Sequence, residues 1–417
     1  MDTVVLGAGI SGLAYAANAV NENVKVYEKE NVAGGLCKTY SKDGYTFDAA
    51  IHFSFTANEE ARSFFDQTPY DAKYPDAYNY YHGSYVRHPV IYNLNGLSSD
   101  LKCHGIESFV NRRKDLQVNN YADWLAGSYG QFFKEKFYDV YTKKYWTLPS
   151  RDLSTTWIGV RLQEPNLHKI LYGAFSEDTG NNYYAKEMRY PLQGGYQTFL
   201  KPLVDKADIV TEKDVQTIDI QNRTVLFKDG SKVNYDKLVS SIPLPVLINA
   251  LPDVPEQIRA AAERLMWSRV SIVTIGFNRP DVAKYLWLYI YDEDIMSARV
   301  YSPSMQSKNN APEGCSSLQF EIYHNNRETI DEKAVIKNTL DAVVKMGVAQ
   351  PENICFTDYR LLPYGNVIFY NGMEDDRKIV KDYIESQGIT LIGRFGEWEY
   401  LWSDQSYLSG KHAAQRN

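Results

Sequence analysis

Three glycines, Gly7, Gly9 and Gly12, follow a short apolar run in VVLGAGISGLAYAA, and a lone acid, Glu28, closes VKVYE shortly after. The G-x-G-x-x-G spacing lets a backbone turn tightly and approach a pyrophosphate at a helix N-terminus. A carboxylate at the tip of the next strand can accept hydrogen bonds from the ribose hydroxyls of adenosine. This is dinucleotide-binding chemistry, and NAD and FAD both satisfy it. A plain strand-turn-helix corner can carry the same three glycines, so the surrounding elements decide.

Those elements are in register. DTVVLGAG reads as a buried parallel strand ending in a glycine turn, ISGLAYAANAVN as a helix packed close to it, and NVKVYEKE as a second strand. From about residue 100 to 185 the pattern is mainly helical, in IESFVNRRKDL, NYADWLAGSYGQFFKEKFYDVYTKKYW and LSTTWIGVRL. Strand punctuation then takes over: DIQNRTVLFKDGSKVNYDKLVSSIP carries two turn signals, and SRVSIVTIGFNRP, YLWLYIYDED, MSARVYSP and SSLQFEIYH read as further strands. DEKAVIKNTLDAVVKMG is an amphipathic helix, ITLIGRFGEW a strand and turn, and QSYLSGKHAAQ opens a last helix.

With 417 residues the chain is long enough for two or three packed units. Its 44% hydrophobic and 23% charged content is that of a globular protein, and a net charge of -7 argues against a general nucleic-acid binder. Cys37, Cys103, Cys315 and Cys355 lack metal-site spacing, so no metal is expected and a reducing compartment is. Neither a leader sequence nor an apolar run of membrane-spanning length is evident, which makes the expected location cytoplasmic. Of 33 tyrosines several cluster at residues 70–93, which fits a Tyr-rich antiparallel sheet better than a wet aromatic pocket.

A glycine pair, Gly34 and Gly35 in KENVAGGLCKT, follows the acid. In that position it resembles the pattern shared by a large group of FAD enzymes that includes amine oxidases, phytoene desaturases, protoporphyrinogen oxidases and sugar-nucleotide mutases. GYTFDAAIHFSF is similar to the segment that passes near the flavin ring in that group. The resemblance implies FAD as cofactor.

Within the group, RLQEPNL, RYPLQGG, VLFKDGSKVNYDKLVSSIP, YLWLYIYDED with MSARVYSP, and GRFGEWEY occur in the same order as similar stretches of UDP-galactopyranose mutases. That resemblance implies an α/β fold: a Rossmann-like FAD-binding domain, an inserted helical domain and a twisted antiparallel β-sheet substrate domain. The expected boundaries are 1–70, 186–245 and 388–417 for the first, 96–185 for the second, and 71–95 with 246–387 for the third. It also implies an isomerase of polysaccharide biosynthesis that acts on a nucleotide-diphosphate sugar. Its reduced flavin, supplied with electrons by NAD(P)H or another external reductant, uses N5 to attack the anomeric carbon, and the ring then closes as a furanose.

The same resemblance carries over the site residues. Arg161 and Arg299 match the two arginines that bind the diphosphate, where a guanidinium can meet the charge growing on the leaving group. Tyr400 matches a phosphate-binding tyrosine, Tyr364 a second one, and His52 the histidine beside the flavin. Arg394 is expected at the cofactor or the diphosphate. Trp146 and Trp287 are candidates for the substrate pocket, with a core position the alternative.

The chain departs from the family where the base is read. Ile91 in HPVIYN stands where a glutamine reads the pyrimidine, Thr142 where an asparagine is common, and Ala185 where another asparagine reads the nucleoside. The expectation is a pyranose–furanose mutase with an altered base or sugar. Two other classes remain: an FAD-dependent oxidase or desaturase of the amine oxidase-like group, and a flavin-bearing interaction scaffold without catalysis.

Overall fold

The first strand, Asp2–Leu6, is buried after its first residue and apolar from Val4 onward, as expected for a strand covered on both faces. It is the centre of a five-stranded parallel sheet. Lys237–Ser240 and then Ile389–Leu391 lie on one side of it, and Asn23–Tyr27 and then Asp208–Val210 on the other. Segments far apart in the chain therefore build one sheet. The last helix, Ser403–Gln415, packs on the first, Ile10–Asn18, and closes the unit from its two ends. This computed structural model describes residues 1–75, 77–159, 161–162, 164–180, 182–183 and 185–416.

A seven-stranded sheet forms the second layer, in the order Ile354–Leu362, Ser268–Phe277, Ser316–Asn325, Arg299–Tyr301, Trp287–Ile290, Ala77–Tyr81, Ser84–Arg87. All neighbours are antiparallel except Trp287–Ile290 with Ala77–Tyr81. The helix Glu332–Lys345 covers one face, capped by the Asp331 side chain on the Ala334 amide, and buries Val335, Thr339, Ala342 and Val343. The two turn signals after residue 219 fold Val215–Asp219, Thr224–Phe227 and Lys232–Asn234 into a separate antiparallel sheet.

The helical block differs from its expected form in three places. The helix Ser99–Val110 stops before the charged NRRKDL. The run over residues 120–146 breaks at Gly130, at φ 82°, into Tyr121–Tyr129 and a distorted continuation: a π-helical turn at Lys134–Tyr138, then Asp139–Trp146. Residues 153–162, read as a helix, instead form turns among the described positions. Gly159 takes φ 48° there, and Val160 lies outside the described residues. The apolar letters of that segment pack inward without helical phase, leaving Arg161 on a loop. Among the described residues no helix is long and apolar enough to cross a membrane.

Candidate functional site

Two cavities, each of about 270 Å³, lie on either side of a shared wall formed by Leu36, His52, Leu362, Arg394 and Ser403. The first sits at the carboxyl ends of the parallel strands. Gly7, Glu28, Ser241 and Gly393 line it, each within two residues of the end of a different strand. This is where open α/β sheets bind nucleotides, because the helix N-terminus and the free amides of the turns converge there.

Gly7 has φ 95°, a conformation side chains disfavour, and its amide donates to Tyr27 O at 2.8 Å. Gly9 caps the first helix and bridges to Gly34, while Gly35 lies beside it. Gly12 serves packing rather than the cavity wall: a Cβ there would come within 2.0 Å of Gly7 O. The Glu28 carboxylate accepts the amides of Ala8 (2.8 Å) and Glu30 (3.0 Å), which fixes both oxygens while leaving each a second lone pair for a ribose hydroxyl. The turn thus offers backbone amides with room for phosphates and a fixed acceptor beyond them. These residues fit the dinucleotide half of a flavin cofactor.

The second cavity lies between the seven-stranded sheet, the helical block and the turn at residues 400–403. Eight of the described tyrosines line it and none of these comes from the cluster at residues 70–93, whose tyrosines belong mainly to the sheet. Arg161 reaches it from its loop, donating to Trp157 O (3.1 Å) and Tyr400 O (2.6 Å), with its guanidinium over the rings of Tyr400 and Trp402. Arg299 rises from the floor. Its Nε donates to Glu321, its NH2 group donates to the Tyr323 hydroxyl at 2.8 Å, and its face covers Trp287 and Tyr145. Burial opposes the Arg299 charge, but Glu321 overrides that and holds its pKa well above the ordinary value.

Glu321 ties the floor to the shared wall. Its other oxygen accepts the Ile51 amide at 3.0 Å, next to His52. His52 Nδ1 lies 2.8 Å from Ala50 O and must donate, because a carbonyl can only accept; Nε2 is then a bare acceptor. Burial lowers the His52 pKa to about 4, so the ring is neutral near pH 7. The Tyr400 hydroxyl pairs with that of Tyr145 at 2.7 Å, and burial raises the Tyr400 pKa well above its usual value.

The structure brings Arg161, Arg299, His52, Arg394, Tyr400, Trp146 and Trp287 to one cavity. Arg394 is largely committed: it donates to Leu401 O (2.8 Å), Gly365 O (3.1 Å) and Asn366 Oδ1 (3.3 Å), and it lines both cavities. Both tryptophans are core-buried and also line the cavity, so the two expected roles coincide; Trp287 Nε1 makes no hydrogen bond among the described residues. Tyr364 lies elsewhere. Stacked on Trp267, it lines the first cavity rather than the second, because the strand before it turns along the shared wall.

The three base-region departures also separate. Thr142 lines the second cavity, whereas Ile91 and Ala185 are buried in the apolar core and do not reach it. From HPVIYN it is His88 that faces the cavity. The sequence reading missed His88, Glu321, Asn366 and Tyr145. Glu321 had a usable signal, a carboxylate in the middle of the otherwise apolar LQFEIYH, where burial requires a partner.

A model of the family of flavin containing amine oxidoreductases matches residues 10–416. The chain belongs to that family. As a flavoprotein of this group it shares the fold of reduced UDP-galactopyranose mutase, with a TM-score of 0.92, 21% identity, and coverage of 99% of this chain and 93% of that one. A redesigned putrescine oxidase aligns at TM-score 0.66 and 14% identity, covering 99% and 98% of the two chains. Sequence matches to curated relatives are short. All-trans-retinol 13,14-reductase of Danio rerio is 44% identical over 55 residues, 13% of this chain and 9% of that protein. A 4,4'-diapophytoene desaturase of Staphylococcus aureus (strain COL) is 44% identical over 50 residues, 12% and 10% of the two lengths. The flavoprotein therefore matches about a tenth of these relatives' length.

Proposed function

We propose that this flavoprotein is an isomerase that interconverts pyranose and furanose forms of a nucleotide-diphosphate sugar. The observation that carries the reading is the pairing of two arginines, Arg161 and Arg299, in a cavity that shares a wall with the nucleotide cradle. FAD, when bound and reduced, supplies a nucleophilic ring nitrogen, N5, for the anomeric carbon.

The residues have separable work. Arg161 and Arg299 hold the diphosphate where its negative charge grows on departure, and because they are fixed beforehand they need no reorganisation. Of the paired Tyr400 and Tyr145 hydroxyls one donates to the other, and the second keeps its proton to donate to the same oxygens. Neutral His52 offers an acceptor at the shared wall without adding a charge that would compete for the diphosphate. The aromatic walls keep water from an opened sugar. Glu321 cancels one of the guanidinium charges, so that the diphosphate is held and can still return to the sugar after ring closure.

Mass analysis of the products tests the reading. A panel of nucleotide sugars incubated with the flavin-loaded protein should give a product of unchanged mass. A second reading, an oxidase or desaturase, is favoured by the oxidoreductase family and by the short matches to the reductase and the desaturase. It predicts a loss of two hydrogens from an amine or lipid-like substrate, and it leaves the guanidinium groups of the second cavity without a ligand of opposite charge.

A further inference from the structure

A row of paired residues crosses the floor of the second cavity. Glu321 pairs with Arg299, Arg299 with Tyr289, and Tyr289 with Asn79, each on the next strand. At a strand spacing of about 4.8 Å, Asn79 lies roughly 10 Å from Arg299. Beyond it is His88, which lines the cavity but takes no part in the wall shared with the first one. The row thus runs from a phosphate-binding cation to the far end of the cavity, a reach of the order of that from phosphate to base edge in a nucleoside diphosphate.

The hydrogen bonds fix the chemistry at that far end. The Asn79 amide nitrogen donates to Val86 O (3.0 Å) and Arg87 O (3.2 Å), which leaves its Oδ1 to accept. His88 Nδ1, at 2.9 Å from Oδ1, must therefore carry the proton, and Nε2 keeps a bare lone pair. No hydrogen bond is made at Nε2 among the described residues. The ring is held against Tyr289 at 4.4 Å and edge-on to Tyr183 at 5.5 Å. Burial takes its pKa down to about 3, so it does not become a donor by protonation near neutral pH.

We propose that His88 reads the nucleobase, its Nε2 accepting a hydrogen bond from a ring N–H such as that of uracil, thymine or guanine. This rests on the nucleotide-sugar reading above and sharpens it. The side chain asks for a donor and nothing else: a base that presents a lone pair at this point sets two acceptors against each other in a site with little water, and both go unpaired. Selection at this end is by hydrogen-bond polarity and needs no amide at Ile91.

Calorimetric titration of the flavin-loaded protein tests this with defined probes. They are UDP and GDP, their N3-methyl and N1-methyl forms, CDP, and inorganic pyrophosphate. At least one parent nucleotide should bind about tenfold or more tightly than its methylated form, and UDP should exceed CDP by a similar factor. In His88→Ala, which removes the acceptor and makes room for the methyl group, these ratios should fall to about twofold or less while pyrophosphate binding is unchanged. Equal binding of parent, methylated and cytosine nucleotides by the unaltered protein would overturn the role of His88 and leave the nucleotide-sugar reading standing. If no nucleoside diphosphate binds better than pyrophosphate, both are overturned. The comparison of ligands on the unaltered protein decides even if the variant does not fold.

Discussion

Arg299 and Glu321 face each other on adjacent strands, guanidinium on carboxylate, with Glu321 wholly shut off from solvent. The guanidinium is therefore anchored by an acid that also holds the Ile51 amide, so one carboxylate links the floor of the second cavity to the loop carrying His52. A buried pair of this kind is costly to break from one side only.

Arg299→Met should leave Glu321 as an unpaired buried carboxylate and lower stability by about 3–5 kcal/mol, read by urea unfolding. Adding Glu321→Gln should recover most of that loss. Turnover should stay down by about 100-fold or more in both, with flavin content per protein unchanged, because the cation for the diphosphate is missing in each. Turnover restored along with stability would make Arg299 a structural residue.

Arg161 stands on a loop, and its contacts include two backbone carbonyls and two aromatic faces among the described residues. Arg161→Ala should cost turnover about 100-fold and change stability by no more than about 1 kcal/mol. Steady-state rates and thermal unfolding check the two halves.

Gly12→Ala should push the first helix off the glycine turn, since the added carbon meets Gly7 O at 2.0 Å. The purified protein should carry little flavin, seen in its visible absorbance. Gly127→Ala is the control: its Cβ would rest 3.5 Å from Arg113 O, an ordinary contact, and flavin content should not change.

His52 and His88 are held neutral by burial, at about 4 and about 3 against an ordinary 6.5. Between pH 6.5 and those values the unfolded chain binds more protons than the folded one, so stability rises with pH through that window and is lost on acidification. Each histidine should cost about 2 kcal/mol between pH 7 and pH 5. Asp48, raised by burial to about 6, works in the opposite sense, taking up a proton in the folded state over part of the same window. His324, also lowered by burial to about 4, adds to the two histidines, so the melting temperature should fall from pH 7 to pH 5, with a shallower slope in His88→Ala. A flat profile would contradict the buried neutral state.

The nucleotide cradle was legible because its chemistry lies in the backbone: glycine spacing and a terminal acid are visible as letters. The parallel sheet followed from the apolar runs of its strands. What escaped depended on phase and distance. Residues 153–162 have apolar letters suited to a helix, but Gly159 turns left-handed and Arg161 arrives on a loop. Ile91 and His88 are neighbours in HPVIYN, yet one enters the core and the other the cavity. Glu321 and Arg299 lie far enough apart in sequence that only the strand register reveals the pair.

Ring-isomer separation of nucleotide sugars after incubation with the oxidised and the dithionite-reduced protein shows whether the flavin carries out the isomerisation. A product of unchanged mass and altered ring size should form only with the reduced protein and be lost in Arg299→Met. Equal conversion by both redox forms, or a product two hydrogens lighter, would contradict that expectation.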